Sequence, residues 1–180
     1  MTLLSGKREA VSAQPTLVPR TSARVILLDE RSRVLLFSGR IASTADGEIM
    51  AWVLPGGGEE DDEPLATTAA RELFEETGLR VPEEALRGPV AVSRGVWSDG
   101  TTTYQAEDFV FVLRVTQWEI VTEGFTAFER EQIVGHRWWN IEELQHANAL
   151  VFPRMLSELI TRLLGGEEPD EPIELPWNAT

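Results

Sequence analysis

Eight carboxylates and one arginine crowd the 23 residues from Gly57 to Leu79, GGEEDDEPLATTAARELFEETGL. Read as a helix, the second half turns about 100° per residue, so with Arg71 at zero Glu75 falls at about 40°, Glu72 at about 100° and Glu76 at about 140°. These three carboxylates share one stripe, while Ala66, Ala69, Ala70, Leu73 and Phe74 share a side patterned for burial. Like charges at this spacing repel by roughly 0.7 kcal/mol per pair in water, and by several times more in a cleft of lower dielectric. Converging hard oxygen donors suit Mg²⁺ or Mn²⁺, which turns the repulsion into attraction. A cation held there invites the pyrophosphate of a substrate.

The ends of the helix are marked. Pro64 fits the first helical position, where its missing N–H costs nothing, and Gly78 fits the residue after the last turn. The helix is therefore predicted from about Pro64 to Thr77. Leu54, Pro55, Gly56, Gly57 and Gly58 read as a tight loop leading in from a short strand, and glycines there let backbone carbonyls and amides approach a ligand. Glu59, Glu60, Asp61, Asp62 and Glu63 are well explained as acids that complement the positive end of the helix dipole. Glu75 and Glu76 stand at the opposite end, where negative charge is disfavoured.

At these residues the chain resembles the Nudix hydrolases. Their signature runs glycine, five residues, glutamate, seven residues, Arg-Glu-aliphatic, any residue, Glu-Glu, any residue, Gly-aliphatic. Gly57, Glu63, Arg71, Glu72, Leu73, Glu75, Glu76, Gly78 and Leu79 meet it without a gap. The resemblance implies an α/β fold, an α/β/α sandwich around a mixed β-sheet, of which the signature covers the loop and first helix. It implies metal-dependent hydrolysis of a nucleoside diphosphate linked to another group, with nucleoside triphosphates and nucleotide sugars both open. Glu72, Glu75, Glu76 and Gly57 are the implied metal ligands, Mg²⁺ or Mn²⁺ the cofactor, and Gly57 and Gly58 substrate contacts. Arg71 resembles the residue that pairs with glutamates and orients them, with Glu63 as its partner. In some relatives the general base is the signature glutamate, here Glu72. In others it comes from a loop far along the chain, and the loop Thr122 to Gln132 offers Glu123, Glu129 and Glu131, of which Glu129 fits best.

Further polar residues are candidates on weaker grounds. Arg40 and Arg94 can contact phosphates if their strand ends face the cleft. Gln105 and Glu107 alternate with Ala106 and Asp108, so one pair can point toward the site, with Glu107 a possible extra ligand. Trp52, Trp97 and Tyr104 are candidates to stack on a base, and His136 and His146 read as structural or exposed. The proline that ADP-ribose enzymes of the family often carry about sixteen residues past the signature is Arg94 here, and Pro89 comes too early. Tyr104 comes too late for the tyrosine of dinucleoside polyphosphate enzymes, and Leu35 to Met50 does not reproduce the coenzyme A motif. Two other classes compete: a nucleotide-sensing module that binds without hydrolysis, and a calcium-binding or protein-interaction patch. The first calls for a lost signature glutamate and none is lost; the second lacks EF-hand spacing in Glu59 to Glu63.

Length and charge bound the rest. The 180 residues are enough for one domain, and the net charge of −14 opposes binding to nucleic acid or anionic membrane. The expected partner is a small nucleotide. There is no cysteine, no apolar run of signal-peptide length near the start and no apolar stretch long enough to span a bilayer, which together predict a cytoplasmic protein.

Residues 1–20 are expected to form a flexible arm, residues 21–165 the Nudix domain, and residues 166–180 an acidic tail without fixed structure, whose Trp177 can dock on a neighbouring subunit of a homodimer. Ala23 to Leu28 and Val34 to Ser38 are predicted to form a hairpin around a turn at Asp29 to Ser32. Ile41 to Ile49 reads as a loop and Ala51 to Leu54 as a short strand. Val90 to Val96, Phe109 to Trp118 and Ile133 to Trp139 are predicted strands. Ile141 to His146, behind Asn140 as N-cap, and Pro153 to Leu164 are predicted helices, the second ending at Gly165.

Overall fold

The computed structural model describes residues 17–44, 47–98 and 101–177. Among the described residues nine strands form a mixed sheet: β1 (Leu17–Leu28), β2 (Val34–Thr44), β3 (Gly47–Val53), β4 (Gly56–Gly58), β5 (Arg87–Ser98), β6 (Thr103–Arg114), β7 (Ile133–Trp139), β8 (Val151–Phe152) and β9 (Ile173–Leu175). Four α-helices accompany it: α1 (Leu65–Thr77), α2 (Ala127–Gln132), α3 (Ile141–His146) and α4 (Leu156–Leu164). The spatial order is β8-β3-β2-β1-β6-β5-β9, with β4 paired to β1 and β7 to β2. β1 runs parallel to β6 along its whole length, whereas it meets β2 only at Leu28 and Val34. The two strands of the first hairpin therefore part, and β4 takes the vacated edge of β1 opposite Ser22, Ala23 and Arg24.

The run Val25 to Leu28 is apolar without alternation because both faces of β1 are covered. Val25 and Leu27 pack with Ala69 and Leu73 of α1, while Ile26 and Leu28 pack with Leu156, Leu159, Ile160 and Leu163 of α4. This is the expected sandwich of helices around a mixed sheet. Asp29 holds the β1–β2 turn by accepting from the backbone N–H groups of Arg31 (2.9 Å) and Arg33 (2.8 Å).

β7 and α3 have the predicted bounds, and Asn140 caps α3 by accepting from Glu142 N at 2.9 Å. α1 begins one residue later than predicted, with Pro64 as its cap, and ends at Gly78 in the left-handed region, φ 73°. Several expectations need correction. Residues 17–20, assigned to a flexible arm, belong to β1, where Leu17 to Arg20 pair with Thr103 to Ala106; residues 1–16 lie outside the described residues. Ile41 to Ile49 is no loop over the sheet, since β2 and β3 stay paired out to Thr44 and Gly47. The glycine loop is itself the short strand β4, and Thr122 to Gln132 contains α2. The acidic tail is tied down in the residues described: Ile173, Glu174 and Leu175 add beside Ala91, Val92 and Ser93, and Leu175 is buried. Among the described residues no helix is long and apolar enough to cross a membrane.

Candidate active site

The site grows from the junction of β4 and α1. Gly56 has φ 129°, and a Cβ there would run into the Ala23 carbonyl of β1, so only glycine lets β4 lie this close. The Gly56 N–H then donates to Glu76 Oε2 at 2.6 Å. Gly57, on the other side of the pleat, faces Glu72. Arg71 ties the same loop to the helix, donating to Gly58 O (2.9 Å), to Glu63 Oε1 (2.7 Å and 3.1 Å) and to Glu72 Oε1 (2.9 Å).

The third side comes from the segment leading into α2. Trp118 Nε1 (2.8 Å) and Val121 N (3.0 Å) donate to Thr77 O at the end of α1. A Cβ at Gly124 would collide with the Glu75 carbonyl, so this loop abuts the helix backbone. Phe125 is buried and lies edge-on to Phe37, centroids 5.6 Å apart. Thr126 and Glu129 form a reciprocal capping box, Thr126 N donating to Glu129 Oε2 at 2.6 Å and Glu129 N to Thr126 Oγ1 at 3.2 Å. A six-residue helix is thereby started at a fixed place.

These constraints bring one carboxylate oxygen each of Glu72, Glu76 and Glu129 within 4.8 Å of one another. Glu72 is 7% and Glu76 4% exposed, so water contributes little to their charge. Burial pushes Glu76 well above the usual carboxylate range; the Gly56 N–H and Arg24 oppose this, and the charges of Glu72 and Glu129 add to it. Burial likewise raises Glu72 against the pull of Arg71. Glu63 goes the other way, lowered by its hydrogen bond from Arg71. Three acids converge with Arg71 and Arg24 beside them, and hard anionic oxygens fit a divalent Mg²⁺ or Mn²⁺ ion.

Other candidates lie elsewhere. Glu75 stands outside the three-carboxylate group, 3.5 Å from Arg71 Nη1 with its side chain 36% exposed. Arg40 pairs with Glu48 at 2.6 Å. Arg94 is held by Glu107 (2.6 Å) and by Glu174 of β9. Glu123 and Glu131 are exposed, and their carbonyls accept from Arg130 and Arg40. Trp52 packs edge-on to Trp139, centroids 5.0 Å apart. His136 borders Phe37, and His146 Nδ1 bonds the Glu142 carbonyl.

Arg24 is a site residue the sequence reasoning missed. It donates to Gly56 O and pairs with Asp108 at 3.4 Å. Burial opposes its charge, but Asp108, Glu76 and Glu72 outweigh this and raise its pKa. A lone arginine inside the aliphatic run from Ala23 to Leu28 was a readable signal.

The family model for the NUDIX domain matches residues 18–159. Over 62 residues the chain is 45% identical to an RNA pyrophosphohydrolase of Dinoroseobacter shibae, covering 34% of this chain and 36% of that protein. Over 60 residues it is 43% identical to a CMP-5'-(N-acetyl-N-hydroxy-3-aminopropyl)phosphonate hydrolase of Streptomyces rubellomurinus, covering 33% of this chain and 27% of that protein. The matches thus span well under half of these relatives. The MutT protein of Methanosarcina mazei Go1 superposes with a TM-score of 0.54 at 18% identity over 87% of this chain and 100% of that one. A MutT protein of Bacillus halodurans gives 0.55 at 20% over 87% and 88%. With an uninterrupted signature from Gly57 to Leu79 folded onto this sheet, the chain belongs to the Nudix family.

Proposed function

We propose that the chain is a divalent-metal-dependent pyrophosphohydrolase acting on a nucleoside diphosphate linked to another moiety, of the nucleoside triphosphate or nucleotide sugar class. The observation that carries this is the convergence of Glu72, Glu76 and Glu129 within 4.8 Å, two of them withdrawn from water. One relative is named for action on RNA and the other for action on a CMP-linked phosphonate, which supports a nucleotide-type substrate.

Glu72 and Glu76, with the Gly57 backbone, are the proposed metal ligands, and Glu75, which the signature adds, is a third that has to turn from Arg71 to join them. When bound, Mg²⁺ or Mn²⁺ supplies Lewis-acid neutralisation of the phosphate oxygens. Arg71 fixes Glu72 and the Gly58 carbonyl, and Arg24 fixes Gly56, so the donors are held in place before substrate arrives. Glu129 is the proposed base that takes the proton of an attacking water; the water oxygen forms the new P–O bond while the bridging P–O bond breaks, and two phosphorylated products leave. Glu72 is the alternative base. Gly57 and Gly58 are the proposed substrate contacts, while Arg40 and Arg94 are engaged by Glu48 and by Glu107 and Glu174. The acidic surface supports a small nucleotide rather than nucleic acid or membrane as partner, in the cytoplasm, and a homodimer is a further proposal that sedimentation tests.

A panel of nucleoside triphosphates, nucleotide sugars and dinucleotides, assayed with and without Mg²⁺, tests the reading. Turnover of at least one compound, dependent on Mg²⁺ and reduced about 100-fold or more by Glu129→Gln, is expected. Binding without turnover across the panel makes the chain a nucleotide-sensing module instead.

A further inference from the structure

We propose that the aromatic pair Trp97 and Tyr104, bordered by Arg20 and Trp177, is the platform on which the base of the substrate stacks. This rests on the reading that the substrate is a nucleotide derivative.

Trp97 and Tyr104 are cross-strand partners on β5 and β6, their rings stacked with centroids 4.8 Å apart and planes at 25°. Both are only half-buried. Arg20, on the adjoining β1, holds its guanidinium carbon 5.8 Å from each ring centroid. The same guanidinium reaches the glycine strand, for a Cβ at Gly58 would lie 3.0 Å from Arg20 Nη2. One residue earlier, Gly57 abuts the Glu72 carboxyl on the other side of the pleat. Arg20 therefore lies beside the aromatic pair and against the glycine strand, on the face opposite the Glu72 carboxyl.

Among the described residues β4 pairs with β1 alone, and its other edge faces the site, the Gly56 N–H donating to Glu76 Oε2 and the Gly58 carbonyl accepting from Arg71. A diphosphate held at the glutamates can pass this edge and meet the Arg20 cation, leaving its base over the rings. Gly95 shares a face with Trp97, two residues on, and the space its side chain would take is filled by the Trp177 indole. Trp177 is fixed there by the tail: Leu175 is buried, and its carbonyl accepts from Ser93 Oγ at 3.2 Å. This gives the tail strand a role at the site, as the wall of the platform. Aromatic faces accept any base, and the guanidinium complements phosphate, so the patch matches both halves of a nucleotide. Strand pairing holds the rings in place beforehand, which limits the ordering lost on binding.

Calorimetric titration in Mg²⁺ with two probes tests this: a set of α,β-methylene nucleoside diphosphates, and base-free methylenediphosphonate. Trp97→Leu is expected to weaken the nucleotide probes about 10- to 100-fold and leave the base-free probe unchanged. Tyr104→Leu, on the partner strand, should act in the same direction, so the idea stays testable should the first variant fail to fold. Arg20→Ala should weaken both probes. If both aromatic variants bind the nucleotide probes as tightly as the parent, or lose the two probes equally, the platform is overturned. A protein that binds nucleotide analogues through these rings but hydrolyses nothing overturns the hydrolase and keeps the platform. Turnover with an unchanged KM in both aromatic variants does the reverse.

Discussion

The carboxyl of Glu72 rests against Gly57 so closely that an added Cβ would sit 2.5 Å from Oε1 and 2.6 Å from Cδ. Gly57 has no positive φ, so its need for glycine comes from this contact and not from backbone strain. Gly57→Ala should move the Glu72 carboxyl, the softer partner, and leave the fold intact. Mn²⁺ affinity and kcat are expected to fall about 10- to 100-fold with an unchanged circular dichroism spectrum. Gly135→Ala, where an added Cβ meets nothing within 4 Å, is the control and should stay within about 0.5 kcal/mol of the parent. Full Mn²⁺ affinity in Gly57→Ala would refute the steric role.

Glu76 should show a conflict between function and stability. Its carboxylate is raised by burial and by neighbouring acids, so the folded chain holds this proton more tightly than the unfolded chain does. The stability it contributes is therefore present at low pH and lost as pH rises from the ordinary glutamate value, about 4.3, through the folded value. Glu76→Gln removes that loss and keeps an acceptor for the Gly56 N–H. In EDTA, the variant's melting temperature should exceed the parent's by a margin that widens above about pH 4.3 and then levels. Its activity should drop about 10- to 100-fold or more. Equal melting temperatures at neutral pH without metal would contradict the conflict.

Arg71 gives the opposite sign. It joins Glu63, Glu72 and the Gly58 carbonyl through a planar fork that a lysine ammonium cannot reproduce. Arg71→Lys is expected to cost about 1–3 kcal/mol in urea unfolding at neutral pH. Because Arg71 holds Glu63 below the ordinary range, that part of the stability is present above about pH 4.3 and lost as pH falls through the folded value. The deficit of the variant should shrink in acid; a deficit constant down to pH 3 would argue against the pair.

What the sequence made legible were the features whose cause is local. α1 followed from its apolar side, Pro64 and Gly78, and α3 from Asn140 as cap. The approach of Glu72 and Glu76 follows from their helical spacing, whereas Glu75, assigned to the same stripe, stands outside the carboxylate group. What stayed hidden depends on distant pairing: Leu17 to Arg20 are a strand because β6 lies beside them, and Ile173 to Leu175 because β5 does. Helix α2 is an intermediate case. Thr126 and Glu129 have capping-box spacing, but six residues are too few for an apolar period to announce a helix. The same short helix brings Glu129 to Glu72 and Glu76, a meeting of residues 53 and 57 positions apart that no local pattern encodes.

That meeting rests on Gly124. A Cβ there would strike the Glu75 carbonyl and Cα, backbone atoms of a helix that cannot yield. In Gly124→Ala the loop must lift away from α1 and take the start of α2 with it, while Glu72 and Glu76 stay anchored by Arg71 and the Gly56 N–H. If Glu129 is the base, kcat should fall in Gly124→Ala toward that of Glu129→Gln, about 100-fold or more below the parent, with Mn²⁺ binding retained at Glu72 and Glu76. Combining the two changes should add little, since both remove the same group from the same place. A double variant far slower than either single one would show that Gly124 acts on something other than Glu129, with the α1 backbone at Glu75 as the first place to look.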